Sequence, residues 1–194
     1  MKIFGSLLIC LFIVVSSHSQ NLTGGDDAAG SGSTTLGNAD SGGTFGTTRE
    51  LGMALLSSLQ TGDADKMRTL LISREDFLAT VEAQTTDMNV KYEVSRGVDS
   101  DFDRRVTSEV RQSVDLLRAR DSKSRSGMDW SQTSFTEFVF QQDETESRKY
   151  NIIMGSGILK FTYQGSPYQL EIGKVAQLIN GWRFAELGSS AEPM

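Results

Sequence analysis

The chain has 194 residues, of which 19 are basic and 25 acidic, giving a formal charge of −6. So acidic a surface is repelled by phosphate backbones and anionic lipid, which argues against nucleic acid and peripheral membrane as partners. Cys10 is the one cysteine and His18 the one histidine, so everything beyond residue 18 is without the means for a disulfide, a thiolate or imidazole zinc site, a cysteine nucleophile or a histidine-based triad.

Met1-Lys2-Ile3-Phe4 supplies a basic start, Leu7 to Val15 an unbroken apolar run, and Ser16-Ser17-His18-Ser19-Gln20 a small-residue exit. That order predicts a signal peptide over residues 1–19, cleaved between Ser19 and Gln20, because Ser17 and Ser19 are the small pair that follows the apolar core. The run is shorter than the roughly 20 residues of a spanning helix, so no stable membrane insertion is expected after cleavage. Cys10 lies inside the apolar core with Ile9 before it, where a lipidation signal wants a small residue. Loss of Lys2 leaves 18 basic residues against 25 acidic, a formal charge of −7. An exported domain of this size without disulfides points to a bacterial periplasmic or secreted setting.

Residues 20–46 are rich in Gly, Ser, Thr, Asp and Ala, with Leu22, Leu36 and Phe45 as the large apolar side chains. Such a segment cannot bury enough surface to offset its ordering entropy and is expected to be a disordered linker. Asn21-Leu22-Thr23 matches a glycosylation acceptor, a pattern short enough to arise by chance. Order is expected over 47–190. Thr47 and Glu50 form a capping box ahead of Leu51, Ala54, Leu55 and Leu59, which share one helical face. Gly62 ends that helix, and Asp63 caps a short one carrying Met67, Leu70 and Leu71. Ser73 and Asp76 form a second capping box before Phe77, Leu78 and Val81. Residues 84–96 read two ways: Val81, Met88 and Tyr92 continue a helical face, whereas Val90, Tyr92 and Val94 alternate as a strand would. A helix capped by Ser100 or Asp101 then carries Val106, Val110, Val114 and Leu117.

After a polar break at 121–127 the period changes to two. Phe135, Glu137 and Val139 oppose Thr136, Phe138 and Phe140, and an acidic loop at Asp143-Glu144-Thr145-Glu146 leads to a long strand from Tyr150 to Tyr163, bent at Gly155-Ser156-Gly157. Gln164-Gly165-Ser166-Pro167 is a turn, Tyr168, Leu170 and Ile172 begin a third strand, and Asn180-Gly181 is a tight hairpin turn before a fourth strand, Trp182 to Leu187. Helices followed by consecutive strands define an α+β fold, with N-terminal helices packed on a curved antiparallel sheet of about four strands.

Three polar or aromatic groups stand out. Asp99, Asp101 and Asp103 alternate as the opening of a calcium loop does, but Arg104 and Val110 occupy the positions of its turn glycine and closing glutamate, so helix capping is the simpler reading. Asp143, Glu144 and Glu146 with Arg148 and Lys149 read as a solvated loop. Tyr150, Tyr163, Tyr168 and Trp182 can line a concave pocket, or serve as core and cross-strand pairs. No catalytic, cofactor-binding or metal-ligating residue is assigned, and no cofactor is expected.

Leu59-Gln60-Thr61-Gly62-Asp63-Ala64-Asp65 with Leu70-Leu71, and later Ile158-Leu159-Lys160-Phe161, Tyr168-Gln169-Leu170 and Asn180-Gly181-Trp182-Arg183, resemble the nuclear transport factor 2-like and cystatin-like superfamily over most of residues 47–188. Within it the chain looks closest to small exported bacterial proteins. Enzymes of that superfamily, such as ketosteroid isomerases, place a carboxylate and tyrosines in a cone between sheet and helices, but no acid and tyrosine of this sequence map onto those positions. The expectation is therefore an exported, non-catalytic binding or interaction module for a protein partner or a small apolar ligand. The alternative is a cofactor-free isomerase or hydrolase of the same fold, using Asp or Glu and Tyr.

Overall fold

A computed structural model describes residues 45–123 and 128–194. The expected signal peptide, its cleavage point at Ser19 and Gln20, the linker as far as residue 44, and residues 124–127 of the polar break lie outside the described residues.

Helix α1 (Thr48–Thr61) starts where the capping box places it: the Glu50 N–H donates to Thr47 Oγ1 at 3.2 Å, and the Thr47 N–H donates to Glu50 Oε2 at 3.1 Å. It ends at Gly62, whose φ of 68° is the left-handed cap that glycine adopts without steric penalty. Asp63 caps α2 (Ala64–Thr69), accepting from the N–H groups of Asp65 and Lys66. Ser73 caps α3 (Arg74–Gln84), but only half of the expected box forms. The Asp76 carboxylate turns instead to Asn180, whose Nδ2 donates to it at 2.6 Å.

The ambiguous stretch is helical, though it does not continue α3. Thr85 is extended and buried, and Asp87 caps a separate helix, α4 (Met88–Gly97), accepting from the Asn89 N–H. Two β-branched threonines followed by a capping aspartate favour that break. Helix α5 (Phe102–Lys123) follows an Asx turn in which the carboxylate of Asp99, rather than the expected side chain of Ser100 or Asp101, accepts a backbone N–H, that of Asp101.

Strand β1 (Thr133–Gln142) pairs antiparallel with β2 (Met154–Tyr163), β2 with β3 (Ser166–Leu178), and β3 with β4 (Gly181–Glu186). A fifth strand, β5 (Ala191–Pro193), pairs with the start of β3. The expected bend at Gly155–Gly157 is a register shift against β3. The acidic loop is a correction: Asp143 accepts from the N–H groups of Thr145 and Glu146 and caps a short helix, α6 (Glu144–Tyr150), closed by Asn151 at φ 54°. Acids in its first turn and Arg148 and Lys149 in its last match the helix dipole. Tyr150 thus ends a helix, and the strand begins four residues later.

The last hairpin also differs from expectation. Leu178 pairs with Gly181, so Ile179 and Asn180 are the loop residues, and positive φ is confined to Gly181 at 91°. One glycine supplies the left-handed residue that a bulged turn needs, which frees Asn180 to bind Asp76 while the Ile179 N–H donates to Thr80 Oγ1 at 3.0 Å.

One face of the sheet meets the helices. Phe138, Leu159 and Leu170 are successive cross-strand partners on that face, and α1 approaches it closely because a Cβ on Gly52 would lie 2.7 Å from Phe138 Cδ2. Leu51, Leu55 and Leu59 of α1, with Leu159, Leu170 and Phe184 of the sheet, are fully buried. Each such side chain contributes roughly 1.5–3 kcal/mol relative to exposure. The opposite face carries the Glu137–Lys160 ion pair, half-buried Val139 and Ile158, and exposed Glu171. The outer edge of β4 is covered twice: Ile72 and Leu70 exchange hydrogen bonds with Phe184, and the Trp182 N–H donates to Phe45 O at 2.8 Å. Pairing therefore reaches past the expected 47–190 at both ends. Above the Phe45 bond, the Phe45 ring lies 5.3 Å from the guanidinium of Arg183, which is only 6% exposed.

Candidate functional site

The carboxylates singled out in the sequence are held by local partners. Asp99 binds Arg105, and that hydrogen bond holds its carboxyl below the ordinary range; Asp101 pairs with Arg104, and Asp103 accepts the backbone N–H of Arg74. Around α6, Glu144 pairs with Arg148, Lys149 with Glu93, and Glu146 with Lys174 of β3 at 3.3 Å. Burial pushes the Glu146 carboxyl up, against the pull of Lys174.

The four aromatics are not brought together. Tyr150 is buried at the end of α6. Tyr163 and Tyr168 meet edge to face at the far hairpin, 6.0 Å apart, and Tyr168 stacks on Phe161. Trp182 meets Phe140 edge-on at 4.9 Å. The space between helices and sheet is filled by aliphatic and phenyl side chains. Among the described residues its buried polar members are Ser58, Thr80, Thr85, Thr133, Ser147 and Arg183, none of them an acid.

The concavity with the make-up of a ligand site lies elsewhere, between the α1–α2 corner and α5. It measures about 280 Å³ and has a floor of Met67, Leu71 and Val110, all buried, with half-buried Val114 beside them. Its rim carries Arg68, Arg111 and Arg118 against Asp63 and Asp115. The corner follows from sequence: Gly62 reverses the chain and Asp63 starts α2 at once, so Met67 of that short helix, and Leu71 just past its end at the bridge to Phe184, line the groove with α5. On α5, Thr107, Arg111, Val114 and Arg118 recur at steps of four, three and four, one face of a helix. Arg118 packs its guanidinium against Gly62, where any side chain would collide with it.

The sequence reading missed this groove because it counted Val110 and Val114 with Val106 and Leu117 as one core stripe. Val106, Val110 and Leu117 are buried as expected, whereas Val114 borders the groove. The available signal was the basic pair Arg111 and Arg118, spaced seven apart on the flank of that stripe.

Nearby on α5, Glu109 faces Glu186 of β4 and Arg105 of its own helix. Burial, and then the repulsion of Glu186, push the Glu109 carboxyl up, with Arg105 opposing. No group of histidine, cysteine, aspartate or glutamate among the described residues could hold a metal ion, and no helix among them is long and apolar enough to cross a membrane.

The class that these elements define is α+β, with six α-helices among the described residues packed with a curved antiparallel sheet. No protein-family model and no curated protein matches the chain. Among solved structures it is similar to a cystatin-like protein from Ruminococcus gnavus, with a TM-score of 0.45 and 11% identity over 75% of this chain and 44% of that one. The chain thus spans less than half the length of that structure.

Proposed function

We propose that the chain is an exported, non-catalytic binding module of the nuclear transport factor 2-like and cystatin-like kind, and that it takes a small apolar ligand in the groove between α2 and α5. The groove carries the proposal: an opening of about 280 Å³ floored by Met67, Leu71 and Val110, close to the lower size of known ligand pockets, about 300 Å³. A binding role without chemistry is supported by the absence of a buried acid among the described residues and by the dispersal of the tyrosines. The layout of residues 1–20 supports export to the periplasm or beyond the cell.

Titration with the uncharged fluorescent probe N-phenylnaphthylamine tests the reading. Wild-type protein should bind one equivalent saturably, and Val114→Trp, which fills the groove from its wall, should abolish binding. Ala64→Trp, at an exposed position on the rim, should do the same without touching the core. Absence of saturable binding, or binding undiminished in both variants, overturns the proposal.

A further inference from the structure

We infer that the ligand of this groove is an amphipathic anion, a single aliphatic chain of about ten carbons ending in one carboxylate. The inference rests on the reading of the groove as a binding site and adds the charge and size of what fills it.

The chain is acidic by six charges, yet three arginines line the groove, Arg68 from α2 and Arg111 and Arg118 from α5. Its two aspartates do not cancel them equally. Asp63 is committed to α2, accepting two backbone N–H groups through Oδ1 and lying 3.9 Å from Lys66 Nζ through Oδ2. Asp115 is then the one acid left to oppose Arg68, Arg111 and Arg118, and none of these three arginines makes an ion pair among the described residues. Arg111 and Arg118 are two helical turns apart on one face of α5, on either side of Val114. A guanidinium fork presents two parallel N–H donors, the geometry a carboxylate accepts.

Size and lining set the rest of the ligand. A volume of 280 Å³ equals that of about nine water molecules at roughly 30 Å³ each, and an aliphatic chain of about ten carbons is of that order. A folded peptide segment exceeds it. The floor offers methyl and thioether groups, which suit a flexible alkyl tail. Tail on Met67, Leu71 and Val110 with the carboxylate toward Arg111 or Arg118 leaves the head group at the solvent-facing rim, where desolvation is small. Because the arginines are exposed, the charge contributes selectivity rather than most of the affinity.

The test is displacement of N-phenylnaphthylamine by sodium decanoate and by decanol, both below micelle-forming concentrations, at neutral pH, in wild-type protein and in Arg111→Gln/Arg118→Gln. Decanoate should displace the probe at about fivefold lower concentration than decanol. Added salt should shrink that preference, and in the double variant decanoate and decanol should displace the probe at the same concentration, the ratio being read within each protein. If the probe binds but decanol matches decanoate, or the preference survives in the double variant, the anionic assignment is wrong and the apolar groove stands. If wild-type protein binds no probe, the groove reading falls and the inference falls with it.

Discussion

Replacing Gly181 by alanine separates two contributions to the last hairpin. Gly181 sits at φ 91°, and a Cβ there would lie 2.5 Å from Phe45 O and 3.0 Å from Phe45 N. The backbone conformation alone costs an L-residue about 1–2 kcal/mol. The contact is with backbone, so Phe45 must move away, and the Trp182 N–H loses its 2.8 Å acceptor. An amide left unpaired costs about 1–3 kcal/mol, so Gly181→Ala should destabilise the domain by about 3 kcal/mol. Gly165→Ala is the control. It has a similar φ of 78° with nothing within 4 Å of the added carbon, so only the conformational penalty of about 1 kcal/mol applies. Urea titrations of the two variants, compared at equal slope, read the difference. In a chain starting at Gly46, Gly181→Ala should cost no more than Gly165→Ala, because its collision partner is gone. Equal costs for the two substitutions in the full-length chain would refute the claimed strap of Phe45 over β4.

Other expectations follow from the same contacts. Deleting residues 20–43 should leave the thermal midpoint unchanged, since their composition offers little to a core, whereas extending the deletion through Phe45 removes its hydrogen bond to Trp182 and its ring from Arg183 and should lower the midpoint by a few degrees. Glu109→Gln should stabilise the domain near neutral pH by a few tenths of a kcal/mol, a value kept small by solvent screening. The sign follows because the folded carboxyl titrates above its ordinary value of 4.5, so its ionisation opposes folding. The advantage should therefore fade as pH falls through the raised folded value toward 4.5 and be gone below 4.5, and chemical denaturation across pH measures it. N-terminal sequencing of the protein recovered outside the cytoplasm should begin at Gln20, and recovery of Lys2 would contradict cleavage.

The fold class was legible because the hydrophobic period changes from about 3.6 to two after residue 127, and caps at Thr47, Gly62, Asp63 and Ser73 are local signals that tertiary structure had no reason to override. The misreadings have one cause. A polar run such as Asp143 to Lys149 specifies a solvated surface but not whether the backbone coils, and only the double cap by Asp143 with left-handed Asn151 makes it a helix. Likewise Asn180 carried turn chemistry in its neighbours, while its own side chain was claimed by Asp76, 104 residues away in sequence. The groove was the least legible feature. Which flank of the α5 stripe is covered and which stays open depends on where the α1–α2 corner docks, and periodicity within α5 cannot say.

Methyl NMR during titration with decanoate addresses the binding groove most directly, because each methyl reports its own position. The account predicts saturable shifts of the Met67, Leu71, Val110 and Val114 methyls, with Met53 and Met88, exposed at 47% and 71% on α1 and α4, left in place. Shifts centred on Met88 or Ile153, or no saturable shift at all, would contradict it.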